Sequence, residues 1–430
     1  MNYVKLIHFL ENQKNFNSQE SLKKALDTLK LNIDPKKVIV VAGTNGKGST
    51  CATLATMMVE AGKNVGFFSS PHLIKTTERI KFNGIDISEQ DFCNVFTIIR
   101  EKIGEGNFSH FEWLTFMAVY YFFEMKKVDY AIFEVGLGGT YDSTNIIPHK
   151  FCVITRLALD HQDILGSTLL EIAKNKFGII SKNNIVFHTD FGKTEIEKLS
   201  IDYTEKYGAK FIKACDFSFR VDNTLNNKVT TDGNSNINLQ QLKKYLSFFV
   251  ETCFGKFKMN LVGKRAAENS ALALTIFDYI VGNAEKYGSA IEKTQWPGRM
   301  QYVRYKGRDI FLSGDHNPNG IQSLIDILKY YDFHKVHFVV GICNDKDHRK
   351  MLRMLFDFPN ANVYLTETVN KILSISEYDE EYLKKATYSN SDQIEVLNVA
   401  IKNSTDDDMI IVTGSLYLVG KIYSHLYSQE

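Results

Sequence analysis

Val38-Ile39-Val40-Val41-Ala42-Gly43-Thr44-Asn45-Gly46-Lys47-Gly48-Ser49-Thr50 decides the fold: an apolar run enters a glycine-rich turn bearing one lysine, and a helical pattern follows. Glycines let successive backbone N–H groups turn inward around an anion, and a helix beginning near Gly48 adds its positive dipole end. Lys47 supplies a full charge, and Ser49 or Thr50 can reach a magnesium ion. The pattern is a phosphate cradle, and the ligand it implies is ATP or GTP. The common P-loop spacing would put its first glycine where Val41 stands, but strand, loop and helix follow in the required order. The competing reading is a tight strand-to-helix turn that binds nothing.

The remainder of the chain narrows the class. Its 430 residues exceed what one core usually supports, so two or three domains are expected. Lys and Arg number 51 against 50 Asp and Glu, and this balance argues against a nucleic-acid protein, whose footprint is a marked basic excess. Six cysteines occur without a Cys-x-x-Cys pair, so neither a zinc site nor a disulfide framework is indicated and buried free thiols are expected. The N-terminus, Met1-Asn2-Tyr3-Val4-Lys5-Leu6-Ile7-His8, has no cationic stretch followed by a long apolar core, so no signal peptide is expected. The longest apolar run, Phe116 to Phe123, is too short to span a bilayer. These features imply a cytoplasmic protein with no membrane partner.

Periodicity supplies the order of elements. Residues 1–30 read as helix, with Leu6, Phe9 and Leu10 and then Leu22, Ala25, Leu26 and Leu29 at helical spacing. From 37 to about 185, β-rich runs (37–42, 64–69, 128–134, 151–155, 184–188) alternate with helical stretches (49–61, 89–102, 111–125, 168–180), which predicts a mostly parallel sheet covered on both faces. The polar stretch between Asp222 and Asn238 reads as a surface loop, and a helix follows Gly263. Trp296-Pro297-Gly298-Arg299 marks a boundary, placed near residue 294. Beyond it one plan repeats three times: strands at 308–312, 335–340 and 408–412, each with a polar loop and a helix behind it. In open α/β sheets the loops at strand carboxyl ends form the ligand crevice.

Residues at those carboxyl ends carry the chemistry. Ser69-Ser70-Pro71-His72-Leu73 follows the strand Val65–Phe68, with Ser70 a magnesium ligand or a turn cap and His72 a packed loop residue. Glu134 ends an otherwise apolar strand, where a carboxylate is costly unless it meets a cation; magnesium beside ATP is the natural one, and a buried pair with a Lys or Arg is the competing reading. Asp142 and Asn145 lie just beyond, where turn formation and substrate contact explain them about equally. His161, in Asp160-His161-Gln162-Asp163, is a candidate metal ligand, and Lys176 on sequence alone is a solvated charge.

In this order the motifs resemble the Mur ligase superfamily, and within it the folylpolyglutamate synthase/dihydrofolate synthase family. The likeness runs from Gly43–Ser49 through Ser69–Leu73 with Glu78-Arg79-Ile80, His110-Phe111-Glu112 with Thr115, Glu134–Asn145, Ala158–His161, Leu165-Gly166, Pro297-Gly298-Arg299, His316-Asn317-Pro318 and Asp345-Lys346-Asp347 to Gly414-Ser415. It implies an α/β chain: a P-loop-containing ATPase domain with a mostly parallel sheet at 1–294, N-terminal helices included, and a smaller C-terminal Rossmann-like α/β domain at 295–430. The implied chemistry is ATP-dependent amide formation, in which a phosphorylated substrate carboxylate is attacked by the amine of L-glutamate. The implied acceptor is dihydropteroate or a reduced folate.

By the same resemblance Asn45, Gly46, Lys47, Gly48 and Ser49 hold the triphosphate, with Asn269, Arg299 and Asp315 also on ATP. Ser70 and Glu134 hold one magnesium and His161 a second, and Lys176 matches the lysine that the family converts to a carbamate. Lys47, Lys176 and His316 are the catalytic candidates, His316 near the glutamate and γ-phosphate. The pterin side falls on Phe111, Glu112, Tyr141, Asp142 and Ser143, and the expected state is a monomer. Thr140, Asn175, Arg265, Ala266 and Ser313 depart from the family's usual residues. A relative that ligates a different acceptor, or a nucleotide-binding protein without ligase chemistry, is the competing reading.

Overall fold

The computed structural model describes residues 2–104, 106–223 and 246–427. The chain divides into two compact units. The first comprises residues 1–217, 252–257 and 268–294; the second comprises 218–251, 258–267 and 295–430.

The first unit is built on eight strands: β1 (Val38–Ala42), β2 (Val65–Phe68), β3 (Ile80–Phe82), β4 (Ile85–Asp86), β5 (Tyr130–Glu134), β6 (Phe151–Ile154), β7 (Ile185–His188) and β8 (Lys210–Lys213). Their order across the sheet is β4-β3-β2-β5-β1-β6-β7-β8. From β2 to β8 every neighbour is parallel, and only the β2-β3-β4 edge is antiparallel. β1 lies between β5 and β6 and all five of its residues are buried, which is why its sequence is apolar without alternation. The register sets Val41 beside Glu134 and Ala42 beside Ile154, so the loops after β1, β5 and β6 leave the same edge of the sheet.

The second unit carries six strands: β12 (Gln301–Tyr305), β13 (Arg308–Leu312), β14 (Val336–Val340), β15 (Ala361–Leu365), β16 (Tyr388–Ser389) and β17 (Met409–Thr413), in the order β12-β13-β17-β14-β15-β16. All pairs are parallel except β12 with β13. The three expected strand-loop-helix repeats are present as β13, β14 and β17 with helices Pro318–Leu328, His348–Phe356 and Leu416–Tyr427. A third sheet joins β9 (Phe217–Asn223), β10 (Leu246–Thr252) and β11 (Gly255–Met259) in the order β11-β10-β9.

Some expectations need correction. Residues 1–30 form two helices, Tyr3–Glu11 and Gln19–Thr28; the second has its own N-cap, Ser18, whose side chain accepts from Ser21 N. The segment between them is fastened elsewhere: Asn17 gives both its backbone N–H and its side-chain amide to Glu112. The helix expected at 111–125 runs as α from His110 to Tyr120 and continues as a π-turn to Lys126. Asp222 and Asn223 belong to β9, and residues 224–238 of the polar stretch lie outside the described residues. All six cysteines are free, but Cys253 is exposed and Cys93 and Cys215 are half-buried, so the buried-thiol reading holds for Cys51, Cys152 and Cys343 alone.

The core of the first unit is aromatic under the helices Glu89–Ile103 and His110–Tyr120. Trp113 is fully buried, with ring centroids 5.1 Å from Phe96 and 5.3 Å from Phe108, and Phe108 lies 5.1 Å from Phe116. Such rings combine large apolar area with edge-to-face contact. Replacing Trp113 with Ala is expected to cost about 3–5 kcal/mol, the usual range for emptying an aromatic core site. Trp113→Phe should cost less than half as much, both read from the shift of the urea unfolding midpoint.

Candidate functional site

The loop after β1 is shaped by two glycines that no other residue could replace without strain. Gly43 has φ +149° and Gly46 φ +93°, and a Cβ on Gly43 would stand 1.8 Å from Thr155 Oγ1. A Cβ on Gly46 would stand 2.3 Å from Asn269 Oδ1, so the Asn269 carboxamide fills the space that Gly46 leaves. Gly46 is the N-cap of the helix Lys47–Glu60, which starts one residue earlier than expected. A left-handed cap without a side-chain hydrogen bond leaves the helix's first N–H groups to a ligand.

Two lysines converge on this loop. Lys47 Nζ donates to Gly43 O (3.2 Å) and Thr44 O (3.4 Å), while Lys176 Nζ donates to the same Gly43 carbonyl, 133 residues before it in the chain, at 2.9 Å. Lys176 is buried at the end of the helix Leu169–Phe177, which corrects the reading of it as a solvated charge. Burial first, and then the Lys47 ammonium, pull its amine down to about 7, against the opposing fields of Asp160 and Asp142. A lysine so placed gives up its proton far more readily than a solvated one, and the neutral amine it then presents is a nucleophile.

Beside the loop, the buried Glu134 carboxylate at the end of β5 accepts from Ser70 N at 3.1 Å. The expected metal pair Ser70 and Glu134 is thus brought together, and its hydroxyl and carboxylate are hard oxygen donors of the kind that magnesium and manganese take. Among the described residues no three His, Cys, Asp or Glu side chains are grouped to hold a metal by themselves. His161 has φ +50°; its backbone N–H donates to Asp160 Oδ1 (2.9 Å), and its Nε2 stands 3.9 Å from the same oxygen. His72 accepts from Arg79 Nε at Nδ1 (2.9 Å), and burial pulls it down to about 3, in keeping with a packed loop residue.

The residues expected on the pterin side occupy neighbouring positions with unequal freedom. Phe111 packs on Phe68 (centroids 5.4 Å) and covers Gly136, whose Cβ would meet its ring at 2.7 Å. Glu112 accepts from Ser109 N (2.7 Å), Asn17 N (2.9 Å) and Asn17 Nδ2 (2.9 Å), an N-cap and loop tie that occupies both oxygens. Asp142 is similarly used, taking the N–H groups of Gly136, Leu137 and Thr144 and the Thr144 hydroxyl, while burial pushes its carboxyl up. Ser143 Oγ is 2.6 Å from Thr115 Oγ1, and Tyr141 is 80% exposed. Two of the departures from the family pattern lie against each other, since Thr140 donates both N–H (3.0 Å) and Oγ1 (2.9 Å) to Asn175 O.

In the second unit, Arg299 Nη1 donates to Gly314 O (3.4 Å) and His316 Nδ1 lies 2.9 Å from the same carbonyl. Asp315 is held by Ser313, whose hydroxyl donates to its Oδ2 at 2.6 Å; burial raises its carboxyl, and Arg299 and Ser313 oppose that rise. Asn317 caps the helix Pro318–Leu328 through Gly320 N. Sequence reasoning missed Thr155, Arg156 and Glu268, the residues that hold the phosphate loop from outside. The signal available for Arg156 was its place just past the carboxyl end of β6, where neighbouring strands deliver their polar residues.

A parallel sheet that delivers a lysine-bearing glycine loop, a buried acid and a second lysine to one edge defines a nucleotide-dependent enzyme of the P-loop type. The Mur ligase middle domain matches residues 41–277, and the Mur ligase glutamate ligase domain matches residues 298–416. The chain is 30% identical over 411 residues to the dihydrofolate synthase/folylpolyglutamate synthase of Bacillus subtilis, covering 90% of this chain and 89% of that protein. It is 29% identical to the folylpolyglutamate synthase of Lacticaseibacillus casei, with 90% and 89% covered. E. coli FolC, solved in complex with DHPP and ADP, superposes with TM-score 0.83 at 25% identity, covering 100% of this chain and 98% of that one. The Yersinia pestis bifunctional folylpolyglutamate synthase/dihydrofolate synthase, complexed with AMPPNP and Mn ion, gives TM-score 0.81 at 27% identity, with 99% and 98% covered. The chain belongs to the Mur ligase family, a family of ATP-dependent amide-forming ligases, in the branch of these folate enzymes.

The environment of Lys176 has a consequence for stability. Its folded-state pKa lies near 7, below the ordinary 10.5, so between these values the unfolded chain binds a proton that the folded chain does not. Stability from this group therefore rises with pH across that window, and at pH 7 and below the folded state carries nearly the full cost of a buried ammonium. Lys176→Met removes that cost. In CO2-free buffer its gain in melting temperature over the native chain should be largest at pH 7 or below and should shrink steadily toward pH 10.

Proposed function

We propose that this ligase joins L-glutamate to dihydropteroate, and further glutamate to tetrahydrofolate, through an acyl phosphate. The observation that carries this reading is the convergence of Lys47 and Lys176 on Gly43 O beside the Glu134–Ser70 pair. That combination suits transfer of a phosphoryl group more than simple nucleotide binding. The folate branch is supported by the named activities of the relatives and by the DHPP, AMPPNP and L-glutamate bound in their structures.

In this reading the acceptor's carboxylate attacks the γ-phosphorus of ATP, the bond to the β–γ bridging oxygen breaks, and ADP leaves. The glutamate amine then attacks the acyl carbon, loses a proton, and expels inorganic phosphate. Asn45, the N–H groups of Gly46, Gly48 and Ser49 and the Lys47 ammonium hold the triphosphate, Asn45 by its side chain since its N–H is given to Arg156 O, and they balance the charge that gathers on the phosphate oxygens. Ser70 and Glu134 hold one magnesium, and His161 with a carbamylated Lys176 a second. When bound, the ions neutralise phosphate oxygens and favour an in-line geometry. Carbamylation forms a bond between Lys176 Nζ and the carbon of CO2 with loss of a proton, turning a buried amine into an oxygen donor; the burial of that amine supports this step.

Asn269, Arg299 and Asp315 contact ATP, His316 sits with the glutamate, and Phe111, Glu112, Tyr141, Asp142 and Ser143 line the acceptor side. Glu112 and Asp142 do so by fixing backbone, given how their oxygens are engaged. The ATP-binding domain is drawn at residues 1–294 and the glutamate-ligase domain at 295–430, in a cytoplasmic monomer, with the segments 218–251 and 258–267 grouping with the second unit. No helix among the described residues is long and apolar enough to cross a membrane.

Phosphate release from ATP should require L-glutamate together with dihydropteroate or tetrahydrofolate and be absent without an acceptor. Lys47→Ala should lower it by at least about 100-fold, the scale of losing one donor to transition-state charge. Release with neither pterin would overturn the folate assignment, and a near-native rate in Lys47→Ala would overturn the nucleotide assignment. With 13C-bicarbonate, a carbamate carbon resonance is expected that disappears in Lys176→Met.

A further inference from the structure

We infer that Arg156 is a positioning residue for the nucleotide, acting on the phosphate loop from two sides through its own backbone and through Glu268 to Asn269. The inference rests on the nucleotide reading above and extends it to residues that no motif marks.

A loop whose turns depend on two glycines in left-handed conformations has little preference of its own for the shape that cradles phosphate. That shape must be imposed by neighbours. Arg156 O accepts both Thr44 N (2.9 Å) and Asn45 N (3.3 Å), and Asn45 and Arg156 form an isolated antiparallel bridge. Two residues on, Thr44 Oγ1 donates to Ala158 O (3.0 Å) and accepts from Ala158 N (3.1 Å). Residues 155–158 thus act as a short splint along residues 43–45, with Thr155 filling the space beside Gly43.

The Arg156 side chain reaches the other wall. Its Nε donates to Glu268 Oε2 (3.1 Å) and its Nη2 to Glu268 Oε1 (3.2 Å), a two-pronged contact that fixes direction as well as distance. Glu268 is buried, its side chain 11% exposed, in the helix Lys264–Ile280, and the next residue is Asn269, whose carboxamide closes over Gly46. A lysine at 156 could supply the charge but not the fork. One residue therefore sets the separation between the backbone that the loop pairs with and the amide that covers its last glycine.

The alternative is an ordinary ion pair that contributes only to stability. A thermodynamic cycle on the full chain separates the two, with ATP affinity read by titration calorimetry and folding checked by thermal melting. Arg156→Met is expected to weaken ATP binding about 10-fold, and to raise the KM for ATP more than it lowers kcat. In an Asn269→Ala background the same change should cost less than about twofold, because the group through which Arg156 acts is gone. Arg156→Lys, the variant to use if the methionine protein fails to fold, should weaken binding about threefold. Native affinity in both Arg156 variants, or losses that multiply independently in the two backgrounds, overturns the inference while leaving the nucleotide reading intact. A native chain that takes up no ATP overturns both.

Discussion

One carbonyl oxygen organises this molecule's phosphate end. Gly43 O receives the ammonium of Lys47 from four residues away and that of Lys176 from 133 residues away, so the loop after β1 and the helix Leu169–Phe177 are joined at a single atom. Two like charges so near one acceptor are tolerable only if one of them is given up or an anion arrives. Lys176, the more buried of the pair, is the one whose proton is loosened. The same crowding gives an incoming triphosphate a favourable place to put its charge.

The parallel sheet makes this meeting possible. β1, β2, β5 and β6 run in one direction, so Gly43, Ser70, Glu134 and Arg156 leave the sheet at a common edge though they lie far apart in sequence. The apolar strands stay buried, and each polar residue appears where its strand stops. The second unit follows the same rule with Gly314, Asp315 and His316 after β13 and Gly414-Ser415 after β17.

How much of this was legible follows from the range of the interactions. The run from Val38 to Thr50 is local: apolar strand, glycines and helix start can be read in one pass, and so can Glu134 at the end of an apolar strand. Lys176 could not be read from its surroundings in sequence, because Lys174-Asn175-Lys176 looks like a solvated face until the fold buries it. Arg156 and Glu268 are partners across 112 residues, and no spacing rule connects them. The break between the first two helices was missed for a similar reason, since Asn17 leaves helical pattern to serve Glu112, 95 residues away. Edge elements such as β12 and β16 were missed because strands at the margin of a sheet lack the continuous apolar run that marks central ones.

The contact between Thr140 and Asn175 bears on how this lineage can change. The backbone oxygen of Asn175 receives both donors of Thr140, with Gly178 pressed against Thr140 behind them. Asn175 lends its main-chain oxygen, so the Thr140 hydroxyl is the one side-chain atom in the contact. An arginine placed at 140 would forfeit that bond and crowd Gly178 whatever residue stands at 175, which leaves position 175 free to vary without disturbing this anchor.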